Sequence, residues 1–318
     1  MVRSASARLS VRGVRIGQAE TEEGSSGVSV ALFDGPTPTV VDVRGGASAT
    51  YDLASLTLDA TFGRRWAIFF SGGSLFGLDA AAGIRDRILE TGGGVAVFEN
   101  PHRIAPVSGA ALYDLPGRPG PLPNYRDLGY AATQNATAKS VRVGRVGAGT
   151  GALVGKYRGR SSAMRGGVGW AERQLGRGAH IGALVAVNAV GAVRDPTHGR
   201  WVAGARDSHG RLRPPMTRGP ATGGILGTTL GLLVTDLEVD RTVLQRIASI
   251  AHSGLGAAIV PFHSATDGDL LFAAATGVAG PPAKELRPGG TADALGSVAA
   301  ACAVEAVLTA VRSGNRPS

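Results

Sequence analysis

The sequence predicts an α/β fold, on three observations. Residues 8 to 44 alternate apolar and polar through "RLSVRGVRIG", "GVSVALFD" and "TVVDVRG", the period-2 signal of antiparallel strands separated by Gly and Pro turns. "WAIFFSGG" is an apolar strand ending in glycines, and from Ser74 to Leu89 the positions Leu75, Leu78, Ala82, Ile84 and Ile88 recur roughly at helical spacing. "GTTLGLLVTD" repeats the order, a glycine and then β-branched strand formers. It precedes a helix from about Asp240 with Val243, Leu244, Ile247, Ile250 and Ala251 on one face and Gly254 near its end.

Composition bounds the rest. A chain of 318 residues that is 43% hydrophobic can build a substantial core, as one large domain or two ordinary ones. Its formal charge of +9 is carried almost wholly by arginine, since Lys139, Lys156 and Lys284 are the only lysines. The arginines are scattered without a run of five basic residues, and aromatic content is 5%, which argues against a nucleic-acid partner. Cys302 is the only cysteine, so the chain has no intramolecular disulfide and no cysteine-based zinc site. The N-terminus "MVRSASARLSVRGVRIG" lacks a continuous apolar signal core, making a cytoplasmic location the default expectation. Residues 294 to 311 are apolar enough to raise a membrane question, but Ser297, Glu305 and Thr309 interrupt them. They read as a closely packed interior helix, without a membrane partner.

Several segments invite a chemical reading. The glycine turn at Gly72 and Gly73 presents backbone N–H groups at a predicted helix start, where negative charge could develop. Ser74 is not a nucleophile elbow, because G-x-S-x-G needs glycine where Phe76 stands. Next come the strands "GVAVFEN" and "GAALYDL", the second closed by Tyr113, a loop over 116–123, and a helix beginning near Asn124. Gly147, Gly149 and Ala152 fit a G-x-G-x-x-A dinucleotide fingerprint, with Glu172 at a suitable distance, so an NAD(P)-dependent oxidoreductase is the alternative from another class. The glycine-rich "LVGKYRGRSSAMRGGVG" that follows lacks a helical period, and Thr150 and Tyr157 break the phosphate-loop pattern around Lys156. No cofactor is expected.

Lys156 taken alone is a surface charge, and Asn188, among apolar residues at the end of "HIGALVAVNAVG", is a buried amide in need of partners. Residues 195 to 223 are rich in Gly, Pro and Arg and predict an exposed loop. "VPFHSATDGDLLFAAATG" gathers His263, Asp267 and Asp269, but His252 and His263 lack tight ligand spacing, so no metal is expected. One way to activate the hydroxyl of Thr228 is its own α-amine as base, which only a cut before Thr228 would free. Gly227, without a side chain, leaves the carbonyl before Thr228 open to attack.

The segments "FFSGGSLFGLDAAAGI", "VGAGTGALVGK", "IGALVAVNAVG", "GTTLGLLVTD" and "IAHSGLGAAIVPFHSATDGDLLFAAATG" occur in order through almost the whole chain. Through them it resembles the L-aminopeptidase/D-esterase and nylon-oligomer hydrolase family of self-cleaving N-terminal-nucleophile hydrolases. The resemblance implies a four-layered αββα sandwich, one domain cleaved into residues 1–227 and 228–318. It makes Thr228 the nucleophile and places Lys156 by the cleavage site. Asn188, with N–H groups near Gly72 and Gly73, would hold the oxyanion, Asp267 and Asp269 would orient the nucleophile, and Tyr113 would stand nearby. The implied activity is hydrolysis of small peptides or amides through an acyl-enzyme, by a homo-oligomer. An endo-acting amidase on nylon-like oligomers and an acyl transferase are the alternatives within the family. The departure is Gly227, where the nylon-oligomer hydrolases carry Asn.

Overall fold

The computed structural model describes residues 5–98, 101–116, 120–215, 226–282 and 289–316. The alternating N-terminal stretch forms β1 (Val14–Glu20) and β2 (Gly27–Val43), paired antiparallel, while Ala5–Arg8 pairs with Ser140–Val143. Gly35, Pro36 and Pro38, expected to separate two strands, lie inside β2. A bulge absorbs extra residues and tolerates proline where no ladder bond is needed, so the strand bends and continues. β3 (Ala49–Tyr51) and β4 (Arg64–Ser71) follow, and the register between β2 and β4 shifts between Leu32 and Thr37.

After β4 the predicted helix begins as a 3₁₀ segment, Ser74–Asp79, before α1 (Ala80–Glu90). β5 (Val107–Ala111) then pairs parallel to β4, and Tyr113 lies two residues beyond its end instead of closing it. In place of the long strand expected from "GVAVFEN", only Val95–Ala96 pairs within it, and its last residues are outside the described ones. α2 (Tyr125–Gln134) starts where predicted, because the Asn124 side chain accepts the Asp127 N–H at 3.3 Å.

β6 (Gly167–Gln174), β7 (His180–Asn188), β8 (Thr228–Thr235) and β9 (Leu270–Ala275) complete the sheet, with α3 (Arg241–Ala258) crossing from β8 to β9 and α4 (Gly290–Gly314) last. The nine strands run β6-β7-β8-β9-β2-β4-β5-β3, with β1 also on β2, and the β8/β9 and β4/β5 neighbours are parallel. α3 runs past Gly254 to Ala258 because Leu255 and Ala258 continue its buried face. Residues 195 to 213 are less of a loop than expected: Arg200–Ala203 pairs with Ala192–Asp195, and Ala203 and Ala205 are buried. The remainder of that predicted loop, 216–223, lies outside the described residues.

Three apolar clusters hold the fold. One joins α3 and α4 to residues of β6 to β9, another joins α1 and α2 to β1, β2, β4 and β5, and the third contains residues of both strand groups, among them Phe33, Phe70, Leu184, Leu232 and Phe272. β8 and β9 contribute to two clusters at once, so every residue in them is buried. That is why they read as continuous apolar runs without alternation. α4 is long and apolar enough to cross a membrane by length and composition, and its Cys302, Ala303, Ala306 and Val307 are buried against the cluster shared with α3.

Candidate active site

Strand direction brings the predicted residues together. β7 ends where antiparallel β8 begins, with Asn188 opposite Thr228, and parallel β9 begins at that same end, with Leu270 opposite Leu230. The residues before β9 therefore face the start of β8, and Gly227 bridges Asp267 in parallel register. Thr228, Asn188, Asp267, Asp269 and Lys156 are all buried here.

The peptide bond between Gly227 and Thr228 is held on both sides. The Gly227 N–H donates to the Thr266 carbonyl at 3.1 Å, and the Gly268 N–H donates to the Gly227 carbonyl at 3.0 Å. Thr228 Oγ1 hydrogen-bonds that same Gly227 carbonyl. Gly268, which the sequence offers only as the middle of an Asp-Gly-Asp turn, is thus a backbone donor on the junction. A β-carbon on it would stand 3.0 Å from Thr228 Oγ1.

The two aspartates divide the work. Asp267 Oδ1 accepts the Val190 N–H at 3.2 Å and Oδ2 accepts the Ser264 hydroxyl at 2.5 Å. Burial, reinforced by neighbouring Asp269, raises its pKa above the usual carboxylate range. Asp269 Oδ1 accepts the Thr229 N–H at 2.6 Å, and Oδ2 accepts the His263 N–H at 2.9 Å. Asp269 therefore holds the backbone just after Thr228.

Lys156 is not the surface charge that its sequence context alone suggests. It is 3% exposed, and Nζ donates to the Asn188 carbonyl and the Leu226 carbonyl, each at 2.7 Å. Burial pulls its pKa down to about 7, opposed by the nearby Asp267 carboxylate. A neutral amine has two N–H bonds and one lone pair. Two N–H bonds satisfy both carbonyls and leave the lone pair unshared.

Asn188 is clamped by its side chain. Oδ1 accepts the Leu153 N–H at 3.0 Å, and Nδ2 donates to the Tyr113 carbonyl at 3.0 Å. Tyr113 thus joins the site through its backbone oxygen. The Gly72 and Gly73 amides have partners in the fold: Gly72 N–H donates to the Gly27 carbonyl at 2.9 Å and Gly73 N–H to Asp114 Oδ1 at 2.7 Å. Gly73 is glycine for a conformational reason, with φ of 82° and Tyr125 packed where a side chain would go. These two N–H groups are engaged within the fold.

The dinucleotide alternative also fails on geometry. Gly147–Gly149 is a 3₁₀ turn leading to the two-residue strand Leu153–Val154, with no helix to underlie a pyrophosphate. The Gly147 N–H is taken by Glu20 Oε1 at 2.6 Å, and Glu172 accepts the Ser10 N–H at 2.8 Å.

The family model of Peptidase family S58 matches residues 9–316. The chain belongs to that family. An uncharacterized aminopeptidase of Mycobacterium tuberculosis is 35% identical over 304 residues, covering 90% of this chain and 85% of that protein. A 6-aminohexanoate-oligomer endohydrolase of Paenarthrobacter ureafaciens is 32% identical over 322 residues, covering 95% and 85%. Among solved structures, the L-aminopeptidase D-Ala-esterase/amidase of Ochrobactrum anthropi superposes with a TM-score of 0.66 at 20% identity, over 95% of this chain and 85% of that one. A Burkholderia sp. beta-aminopeptidase gives 0.63 at 20% identity, over 96% and 87%. The mixed α/β fold is shared with these structures, and this S58 chain is a hydrolase of peptide or amide bonds.

Proposed function

We propose that this S58 hydrolase cuts itself between Gly227 and Thr228 and then acts, through Thr228, as an aminopeptidase-like hydrolase of small peptides or amides. The observation that carries the reading is the Gly227 carbonyl, which receives Thr228 Oγ1 and the Gly268 N–H at 3.0 Å. The nucleophile and a preorganised oxyanion donor thus meet on one bond. Lys156, neutral above about pH 7, takes the Thr228 hydroxyl proton as Oγ1 attacks the Gly227 carbon. The negative charge forms on the Gly227 oxygen against Gly268 N–H. The C–N bond then breaks, the Thr228 nitrogen takes the proton from Lys156, and water hydrolyses the remaining ester.

In the cleaved enzyme the α-amine of Thr228 is the base and Oγ1 attacks the substrate carbonyl. Gly268 N–H, released from Gly227, and the second N–H of Asn188 Nδ2 receive the oxyanion, while Asp269 holds the start of β8 and Asp267 the Val190 N–H just beyond β7. The three apolar clusters support an αββα layering, with residues 1–227 and 228–318 as two pieces of one domain. A cytoplasmic homo-oligomer belongs to the same reading.

The test is intact mass spectrometry with N-terminal sequencing, followed by a panel of aminoacyl amides and linear oligoamides. A fragment beginning Thr-Thr-Leu and release of amine from aminoacyl amides support the reading; a chain that stays whole and hydrolyses nothing overturns it. The 32% identity to the oligoamide endohydrolase favours a second reading, endo-cleavage of oligoamides, which internal fragments from the linear oligomers would establish.

A further inference from the structure

We infer that His263 is a positioning residue that locks Asp269 onto the backbone behind the nucleophile; the inference rests on the self-cleaving reading above. His263 grips one oxygen of Asp269 twice, with its backbone N–H at 2.9 Å and its ring Nδ1 at 3.2 Å. The other oxygen takes the Thr229 N–H at 2.6 Å. Both carboxylate oxygens are therefore tied, one to Thr229 and one to His263, and rotation of the carboxylate would release Thr229.

The double grip needs an unusual backbone. His263 has φ of 58°, a left-handed conformation that non-glycine residues adopt only where surroundings over-determine it. The surroundings here are aromatic. The ring lies 3.8 Å from the Phe262 ring centroid and 4.8 Å from His252, edge-on at 65°. His252 is itself fixed on α3, its Nε2 3.1 Å from the Asp42 carbonyl of β2. Burial pulls His252 down to about 4, so it carries a single ring proton, donated to that carbonyl. The path from β2 to Thr229 thus runs through His252, His263 and Asp269. His263 Nε2 is buried without a partner among the described residues, which places the proton of a neutral ring on Nδ1, facing Asp269. A shift of the nucleophile by about 1 Å can cost about a hundredfold in rate, so holding Thr229 is a kinetic function as well as a structural one.

Two variants separate the ring from the backbone. Asn tolerates the left-handed region and carries an N–H donor at the position of Nδ1, whereas Gly relieves the conformation and carries no donor. The rate of fragment appearance is measured in the full chain, then kcat and KM of the processed enzyme on an aminoacyl p-nitroanilide. His263→Asn should stay within about threefold of wild type, while His263→Gly should slow self-cleavage and kcat by about tenfold or more with KM little changed. His263→Gly at the wild-type rate, or His263→Asn no better than Gly, overturns the inference. A wild-type chain that never cleaves overturns the self-cleaving reading instead. ¹⁵N-histidine NMR of the uncut Thr228→Ala chain then decides for His263: a proton on Nδ1 that Asp269→Asn disturbs supports the pairing, and a proton on Nε2 overturns it.

Discussion

A β-carbon at Gly227 would stand 2.1 Å from Oδ1 of Asp267 and 2.6 Å from the Val190 nitrogen. The position therefore has to be glycine while Asp267 occupies this place. Gly227→Ala and Gly227→Asn, each made in the uncut Thr228→Ala chain, should lose about 1–3 kcal/mol from overpacking. Thermal unfolding that matches the parent would show that the contact yields at no cost.

Replacing the hydroxyl decides the nucleophile. Thr228→Ala should remain a single chain of 32.2 kDa with no amidase activity, Thr228→Ser should still cut, and Thr229→Ala should cut at the same bond. Processing of Thr228→Ala at the normal rate would show that Thr228 is not the attacking residue.

Self-cleavage should depend on pH through Lys156. Its pKa is lowered to about 7, so the ammonium dominates below that pH and the basic neutral amine above it. The rate constant for fragment formation should rise about tenfold per unit below pH 7 and level off above it. Lys156→Met and Lys156→Arg should both stay uncut for days, the second because a guanidinium keeps its proton. A flat profile between about pH 5 and about pH 9 would remove Lys156 as the base.

The oxyanion role proposed for Asn188 can be separated from its bracing of the site. Asn188→Ala leaves the Leu153 N–H and the Tyr113 carbonyl without their partner and should cost about 1–3 kcal/mol. Asn188→Asp retains the acceptor for Leu153 but sets an oxygen against the Tyr113 carbonyl, so it should cost about as much stability and, in the folded fraction, turn over about a hundredfold more slowly. Full activity of a folded Asn188→Asp enzyme would exclude the amide from the oxyanion site.

Much of the molecule was legible in the residues themselves. Period and length marked β8, α2, α3 and α4, and the ordered motifs selected Thr228, Asn188, Lys156, Asp267 and Asp269, all of which the fold gathers at one end of the sheet. The prolines of β2 misled because a bulge tolerates what a regular ladder excludes. What the linear chain determined was local: which stretches pair as strands, and which side chains are candidates for chemistry. Only the tertiary structure decided that the Gly268 N–H meets the Gly227 carbonyl while those of Gly72 and Gly73 are already engaged, and that Lys156 is buried on the Leu226 carbonyl. Every residue but proline carries the same N–H, so its partner is set by the register between strands about forty residues apart, and a lysine's pKa by the burial that their packing imposes.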